Sequence, residues 1–433
     1  MANQPHSPAK QSLNRTSWAW LFRVLGPGLI TGAADDDPSG IATYSQAGAQ
    51  FGFSITWTLL FTYPLMAAIQ EISARIGRTT GRGIAANLRA HYPNWVLQGI
   101  VALLLAANII NIGSDLGAMG DAVWLLIGGP KSLYVVLFAV ICAAMQVFVQ
   151  YSQYVSVLKW MTLSLFAYFG TVLAVHVPWI EFARGLFIPT LSADLAFWTT
   201  VVAIFGTTIS PYLFFWQASL EVEEIADAPE RKPLVRSPKQ GPDAIRRIRS
   251  DTYVGMAFSN LVGLAIMVTT AATLQKAGIS DIQTSTQAAQ ALKPVAGEFA
   301  FAIFALGIIG TGLLAVPALA GSAAYALGET RRWPVGLART PMEAKGFYGT
   351  ILVATLVGCG ICFSPLDPIK ALFWSAVING VVAVPVMLMM MIMTSNKKMM
   401  GKFIVVGLLR IIGWIATAAM AAAAGAMGIT SFL

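Results

Sequence analysis

Charge is scarce in this chain. Of its 433 residues only 11% are Asp, Glu, Lys or Arg, against about 25% in an ordinary soluble domain. With 56% hydrophobic residues, the composition excludes a soluble enzyme and points to a polytopic membrane protein built as one bundle. The net charge of +8 does not argue for nucleic acid, because the basic residues gather in particular loops, as topology requires. Histidine and cysteine are sparse too, three of each. His6, His91 and His176 fall in the tail or near span ends, so no histidine cluster exists to hold a resident metal. Cys359 and Cys362 form a C-x-x-C inside an apolar run. A redox or metal role would need exposure and a second ligand pair, so they are expected to pack within a helix. There is no nucleophile–base pair, so no enzyme and no cofactor are expected. The first 16 residues are polar without an apolar core, so no cleaved signal peptide is expected.

What is present is a series of apolar segments of membrane-spanning length. Eleven spans are expected, near 18–50, 54–76, 96–124, 132–150, 153–177, 195–220, 252–274, 298–326, 346–364, 368–394 and 403–431. The expected organisation is an N-terminal tail 1–17, a five-helix set 18–177, a second set 195–394 and a last helix 403–431. The longest polar loop, 221–251, carries Glu221, Glu223, Glu224, four prolines and a basic tail, and reads as a flexible connector. Its basic residues are also suited to touching anionic lipid.

Lys and Arg orient the bundle. Alternate connections hold Arg75, Arg78, Arg82 and Arg89, the basic run from Arg231 to Arg249, the group from Arg331 to Lys345, and Lys397, Lys398 and Lys402. The opposite side holds only Lys131, Arg184, Lys276, Lys293 and Lys370. The expected location is the inner (plasma) membrane, with the N-terminus cytoplasmic and the C-terminus outside. Trp95, Trp124, Trp179, Trp198 and Trp333, with Trp18 and Trp20, sit near span ends as an interfacial belt would.

Two spans are interrupted. Asp35-Asp36-Asp37-Pro38-Ser39-Gly40 divides the first, and Gly206-Thr207-Thr208-Ile209-Ser210-Pro211-Tyr212 divides the sixth. A carboxylate near the bilayer centre costs on the order of 2.5–3.5 kcal/mol on insertion scales and marks a functional site by default. Broken backbone at that depth is tolerated only when buried in protein or lining a cavity. Each break lies in the first span of a five-span set, the pattern of an inverted-repeat transporter with its site at the midplane. The three aspartates face no Lys, Arg or His at either break, so the site should attract a cation. Its oxygen donors suit hard cations such as Mg²⁺ or Mn²⁺. Asp37-Pro38 is also a good helix start, which accounts for one aspartate without a substrate but not for three.

In span three, Asn108, Asn111 and Asp115 share one helix face by their spacing. They read either as interhelical hydrogen bonding or as an ion or proton path, with Asp115 the titratable member. Asp121 reads as interfacial, Glu71 as solvated or paired with Arg75, and Asn379 in span ten as a lining residue of the cavity.

These residues resemble a known family. Gly26-Pro27-Gly28, Asp37-Pro38-Ser39-Gly40 and Gln46-Ala47-Gly48-Ala49-Gln50-Phe51-Gly52 are similar to the first span of NRAMP metal transporters, which carry D-P-G-N followed by Q-A-G-A. Thr79-Thr80-Gly81-Arg82, the stretch from Ala288 to Gly297, and Ser395-Asn396-Lys397-Lys398-Met399-Met400-Gly401 resemble later family segments, in order along nearly the whole chain. The resemblance implies an all-α, LeuT-like fold of two five-helix inverted repeats with discontinuous helices one and six, and coupled uptake of divalent metal ions.

It also implies a ligand set. Asp37 is kept as the metal-binding Asp, and Ala34 and Thr207 stand at the family's backbone-carbonyl ligand positions. The family's binding Asn falls on Gly40, its thioether on Ser210, and the His linked to proton transfer on Tyr212. Asp115 is kept, while the Glu that follows it in the family is Ala118. Losing sulfur removes the ligand that favours transition metals over Mg²⁺ and Ca²⁺. Losing the Asn should make room for an ion that keeps its waters. The changes are similar to the NRAMP-related branch associated with Mg²⁺ transport and imply weak or absent proton coupling. Asp35 and Asp36 are additional candidates at the same site, one of them expected to point toward a water-filled vestibule. The expected partners are the divalent cation, as substrate, and the lipid bilayer, with no nucleic acid and no obligate protein partner. The alternatives are a proton-coupled Mn²⁺/Fe²⁺ importer, an amino-acid symporter of the same fold, and a metal sensor that does not transport.

Overall fold

The structure, a computed structural model, describes residues 31–32, 34–149, 165–228, 230–363 and 367–432. The tail 1–17, the opening of the first span with Gly26-Pro27-Gly28, and the start of the span expected at 153–177 lie outside them. The principal helices are α1 (Pro38–Phe51), α2 (Trp57–Thr80), α3 (Ile84–His91), α4 (Asn94–Ile127), α5 (Lys131–Phe148), α6 (Phe166–Ala174) and α7 (Trp179–Phe187). They continue with α8 (Leu195–Thr208), α9 (Pro211–Asp227), α10 (Gly241–Thr270), α11 (Ala300–Arg331), α12 (Lys345–Ile361), α13 (Pro368–Thr394) and α14 (Gly407–Thr430). No strand occurs among the described residues.

Seven stretches among the described residues are long and apolar enough to cross a bilayer, with Leu195–Asp227 counted as one through its break. The chain turns by 108° between Pro38–Ile55 and Trp57–Thr80, where separate spans are expected. Every expected span has a helix where the residues are described, although α12 has only 17 residues.

Local chemistry sets the helix starts. Asp37 and Asp367 cap α1 and α13 and are each followed by proline. Proline at the first helical position has no amide hydrogen to waste and a φ already suited to the helix. Small residues set the close crossings. A Cβ at Gly206 would lie 1.9 Å from the carbonyl oxygen of Ala376 and 2.5 Å from Gly380 N, so α8 and α13 touch backbone to backbone. Such contacts hold membrane helices together where no hydrophobic drive acts between them. α1 lies against α10 and α13, and α4 runs along α11, α12 and α13.

The connector 221–251 departs from its expected form. Helix α9 runs on to Asp227 and α10 begins at Gly241, so the non-helical part is short. It is also anchored. Leu234 N and Val235 N donate to the carbonyls of Arg78 and Thr79, at 3.3 and 3.2 Å. Arg78 donates in return to Lys232 O at 2.6 Å and Gln240 Oε1 at 2.9 Å. Arg247 pairs with buried Glu221 at 2.5 Å and with Glu224 at 3.2 Å. Charges that look solvated in sequence instead pair with one another and with the end of α2. Glu71 is fully buried and pairs with Arg75, as expected. Asp121 is buried as well, bonded to Lys131 and, at 2.5 Å, to Ser285. Cys359 packs in α12, and Cys362 Sγ lies 2.9 Å from Gly113 O.

Candidate metal centre

The first break is narrow. Residues 34–35 are helical, the chain bends at Asp36, and Asp37 is extended (φ −72°, ψ 170°) before α1 begins at Pro38. Asp37 Oδ1 accepts from Gly40 N at 2.8 Å and from Ser39 Oγ at 2.5 Å. The first bond satisfies the Gly40 amide in the opening turn of α1, and together the two fix the carboxylate.

The second break lies at Ile209–Ser210. Ser210 caps α9 by position, but its hydroxyl turns back, 2.8 Å from Gly206 O and 2.9 Å from Thr207 O, with one hydrogen to share between them. It therefore serves the carbonyls that the missing helical turn leaves without partners. Both Ser210 and Thr207 O keep lone pairs for a cation.

Tyr212 joins the two breaks. From the first turn of α9 its hydroxyl donates to Ala34 O at 2.8 Å, and it lies 3.4 Å from Asp37 Oδ2. Gly40 faces the second break as well. A Cβ there would sit 3.1 Å from Thr207 Oγ1 and 3.4 Å from the Tyr44 ring. The space beside Gly40, which an Asn side chain would need, is bounded by Thr207 and Tyr44. Ala34, Asp37, Gly40, Thr207, Ser210 and Tyr212, all expected at the site, are thus brought together across two helices distant in sequence.

Asp35 and Asp36 are 1% and 4% exposed, so neither opens onto a vestibule. Both carboxylates meet the hydroxyl of Ser259 on α10, at 2.5 and 3.1 Å. Ser259 was not among the expected residues. It stands in sequence as an ordinary small polar residue in an apolar span, beside Asn260, and that pair is the only available signal.

The stripe on α4 divides by function. Asn108 donates to Leu319 O at 2.9 Å and Ser322 Oγ at 2.7 Å, tying α4 to α11. Asn111 donates to Asn379 Oδ1 at 2.9 Å, which ties α4 to α13 and places Asn379 in this pair. Asp115 is fully buried, with no hydrogen-bond partner at either carboxylate oxygen.

Asp35, Asp36, Asp37 and Asp115 form no ion pair among the described residues. Nor do the described residues contain a group of three His, Cys, Asp or Glu side chains arranged to hold a metal ion. The Asp37 centre therefore offers one carboxylate with hydroxyl and carbonyl oxygens. Such a donor set fits a hard cation that keeps part of its water and is released again, rather than a tightly held structural metal.

Comparison with known proteins shows what the whole chain is similar to. Residues 28–430 match the family described as natural resistance-associated macrophage protein-like, Nramp. A protein named divalent metal cation transporter MntH from Klebsiella pneumoniae (strain 342) is 26% identical over 435 residues, covering 99% of this chain and 98% of that protein. The protein of the same name from Pectobacterium carotovorum is 25% identical over 408 residues, covering 92% of each. Among solved structures, the Eremococcus coleocola manganese transporter, in complex with an aromatic bis-isothiourea substituted compound, superposes with a TM-score of 0.73. It is 15% identical and covers 94% of this chain and 87% of that one. Mhp1, a nucleobase-cation-symport-1 family transporter, superposes with a TM-score of 0.57 at 14% identity, covering 94% and 93%. The fold is thus shared with these transporters, and the chain belongs to the Nramp family.

Proposed function

We propose that this chain moves divalent metal cations across the membrane by alternating access, with Mg²⁺ or Mn²⁺ favoured and proton coupling weak or absent. The observation that carries the reading is the meeting of the two breaks. Tyr212 reaches both Ala34 O and Asp37 Oδ2, and Gly40 lies against Thr207. Asp37 is the charged ligand. The carbonyls of Ala34 and Thr207 and the hydroxyl of Ser210 complete the inner set, partly through water. Because Tyr212 holds Ala34 O in this arrangement, its hydroxyl yields or shares that carbonyl as the ion arrives.

The ion preference follows from the donors. All are oxygens, which suit hard cations. Mn²⁺ stands beside Mg²⁺ because it too is satisfied by oxygen, and because a neighbour of this fold is named a manganese transporter. Weak coupling follows from Tyr212, whose phenol, unlike imidazole, does not ordinarily titrate near neutral pH. The two repeats are taken as 18–177 and 195–394, moving against one another around the site. The basic end, with the anchored connector, faces the cytoplasm.

The test is flux into proteoliposomes read by a trapped ion-sensitive dye. Saturable Mn²⁺ and Mg²⁺ uptake is expected. Tight metal binding without flux would favour a sensor, and amino-acid uptake indifferent to metals would favour a symporter of organic solutes.

A further inference from the structure

The Asp37 centre uses one of three consecutive carboxylates. Asp35 and Asp36 are buried, and their side chains meet α10 while Asp37 meets α9. Ser259 is fully buried within α10 and places its oxygen 2.5 Å from Asp35 Oδ2 and 3.1 Å from Asp36 Oδ1. A serine hydroxyl has one hydrogen to donate. It serves one of these contacts, and the other sets two oxygens together with no serine hydrogen between them. Asp35 Oδ1 is buried and has no hydrogen-bond partner at all. No Lys, Arg or His forms an ion pair with either carboxylate among the described residues. Two ionised carboxylates in this setting are unstable without a counter-charge.

A cation between the two side chains answers each of these features. It supplies the missing charge and gives Asp35 Oδ1 a partner. It also makes use of the Ser259 lone pairs, since the hydroxyl hydrogen is free to turn away. We propose that Asp35, Asp36 and Ser259 form a second cation-binding position, distinct from the Asp37 centre and lying toward α10, which takes a hard divalent cation. Two carboxylates match a divalent charge, and an all-oxygen donor set excludes a preference for soft metals. The position rests on its own contacts and not on the assignment of Asp37.

The test uses the full-length protein in nanodiscs with Mn²⁺ as the probe. Bound Mn²⁺ is counted by equilibrium dialysis, and the spin-resonance spectrum reports whether two ions lie near each other. Two Mn²⁺ per chain are expected in the wild type, with dipolar broadening at full loading. Ser259→Ala and Asp36→Asn are each expected to bind one and to lose the broadening. Asp36→Asn is nearly isosteric and carries the test if Ser259→Ala does not fold, which thermal melting reveals. Asp37→Ala is expected to keep one Mn²⁺. If it keeps both while Ser259→Ala loses one, the Asp37 assignment fails and the second position stands. One Mn²⁺ in the wild type that Asp37→Ala keeps and Ser259→Ala loses upholds the proposal without the Asp37 centre, whereas one that Asp37→Ala abolishes overturns it. If Ser259→Ala then weakens that ion, the pair serves its outer shell; if Ser259→Ala leaves it unchanged, a bound proton balances the pair. Two Mn²⁺ retained in both Ser259→Ala and Asp36→Asn overturn it as well.

Discussion

Asp37 does two things at once, and two substitutions separate them. Its Oδ1 caps α1 by accepting from Gly40 N at 2.8 Å, while Oδ2 is the oxygen turned toward Tyr212. Asp37→Ala removes both functions. Loss of an N-cap costs about 1 kcal/mol, within a range of roughly 0.5–2. In a chain of this size that is a fall in melting temperature on the order of 1–2 °C. Asp37→Asn keeps an oxygen acceptor for the cap and also removes a buried charge, so its stability should stay within about 0.5 kcal/mol of wild type. Transport should not separate the two. On the proposed assignment, both variants lose the only carboxylate in the inner ligand set. Altering an outer-shell partner already costs about 10–100-fold in metal affinity, so losing this ligand should cost more than about 100-fold. The assays are melting in detergent and Mn²⁺ flux in proteoliposomes. The reasoning is refuted if Asp37→Asn transports like wild type, or if it is destabilised as much as Asp37→Ala.

Other outcomes follow from the packing. Arg247→Ala strands fully buried Glu221 and should cost about 3 kcal/mol, the lower end for a broken buried pair because Arg247 is partly exposed; the double change Glu221→Gln, Arg247→Gln should cost less, by chemical denaturation. Gly206→Ala would set a methyl 1.9 Å from Ala376 O, so it should either prevent folding or part α8 from α13, read as a loss of monodisperse protein and of flux. Asn108→Leu breaks two contacts to α11, worth about 0.6 kcal/mol each in a membrane, and should keep most of the flux. Asp115→Asn removes a buried carboxylate without hydrogen-bond partners and should raise the melting temperature while slowing transport.

The breaks were legible in sequence because their causes are local. Asp37-Pro38 and Ser210-Pro211 each combine a capping residue with a proline that cannot continue the preceding helix. Helix α13 was legible for the same reason, and its observed bounds, Pro368–Thr394, coincide with those expected. Beyond the pairing of the two breaks, meetings between distant segments were not legible. Ser259 faces Asp35 across 224 positions of sequence, and no residue near it announces the contact. The space beside Gly40 gets its bounds, Thr207 and Tyr44, only from the fold. The connector 221–251 looks flexible because each of its charges reads as solvated alone; only the fold sets Arg247 on Glu221 and the backbone of Leu234 on Arg78.

The central claim is that a hard divalent cation passes through an oxygen site at Asp37 without a stoichiometric proton. It is tested most directly by a panel of Mg²⁺, Mn²⁺, Ca²⁺ and Fe²⁺ offered to proteoliposomes that contain a trapped pH dye. The account predicts Mg²⁺ and Mn²⁺ uptake that leaves the internal pH steady and disappears in Asp37→Asn. Strong Fe²⁺ uptake with internal acidification would contradict it.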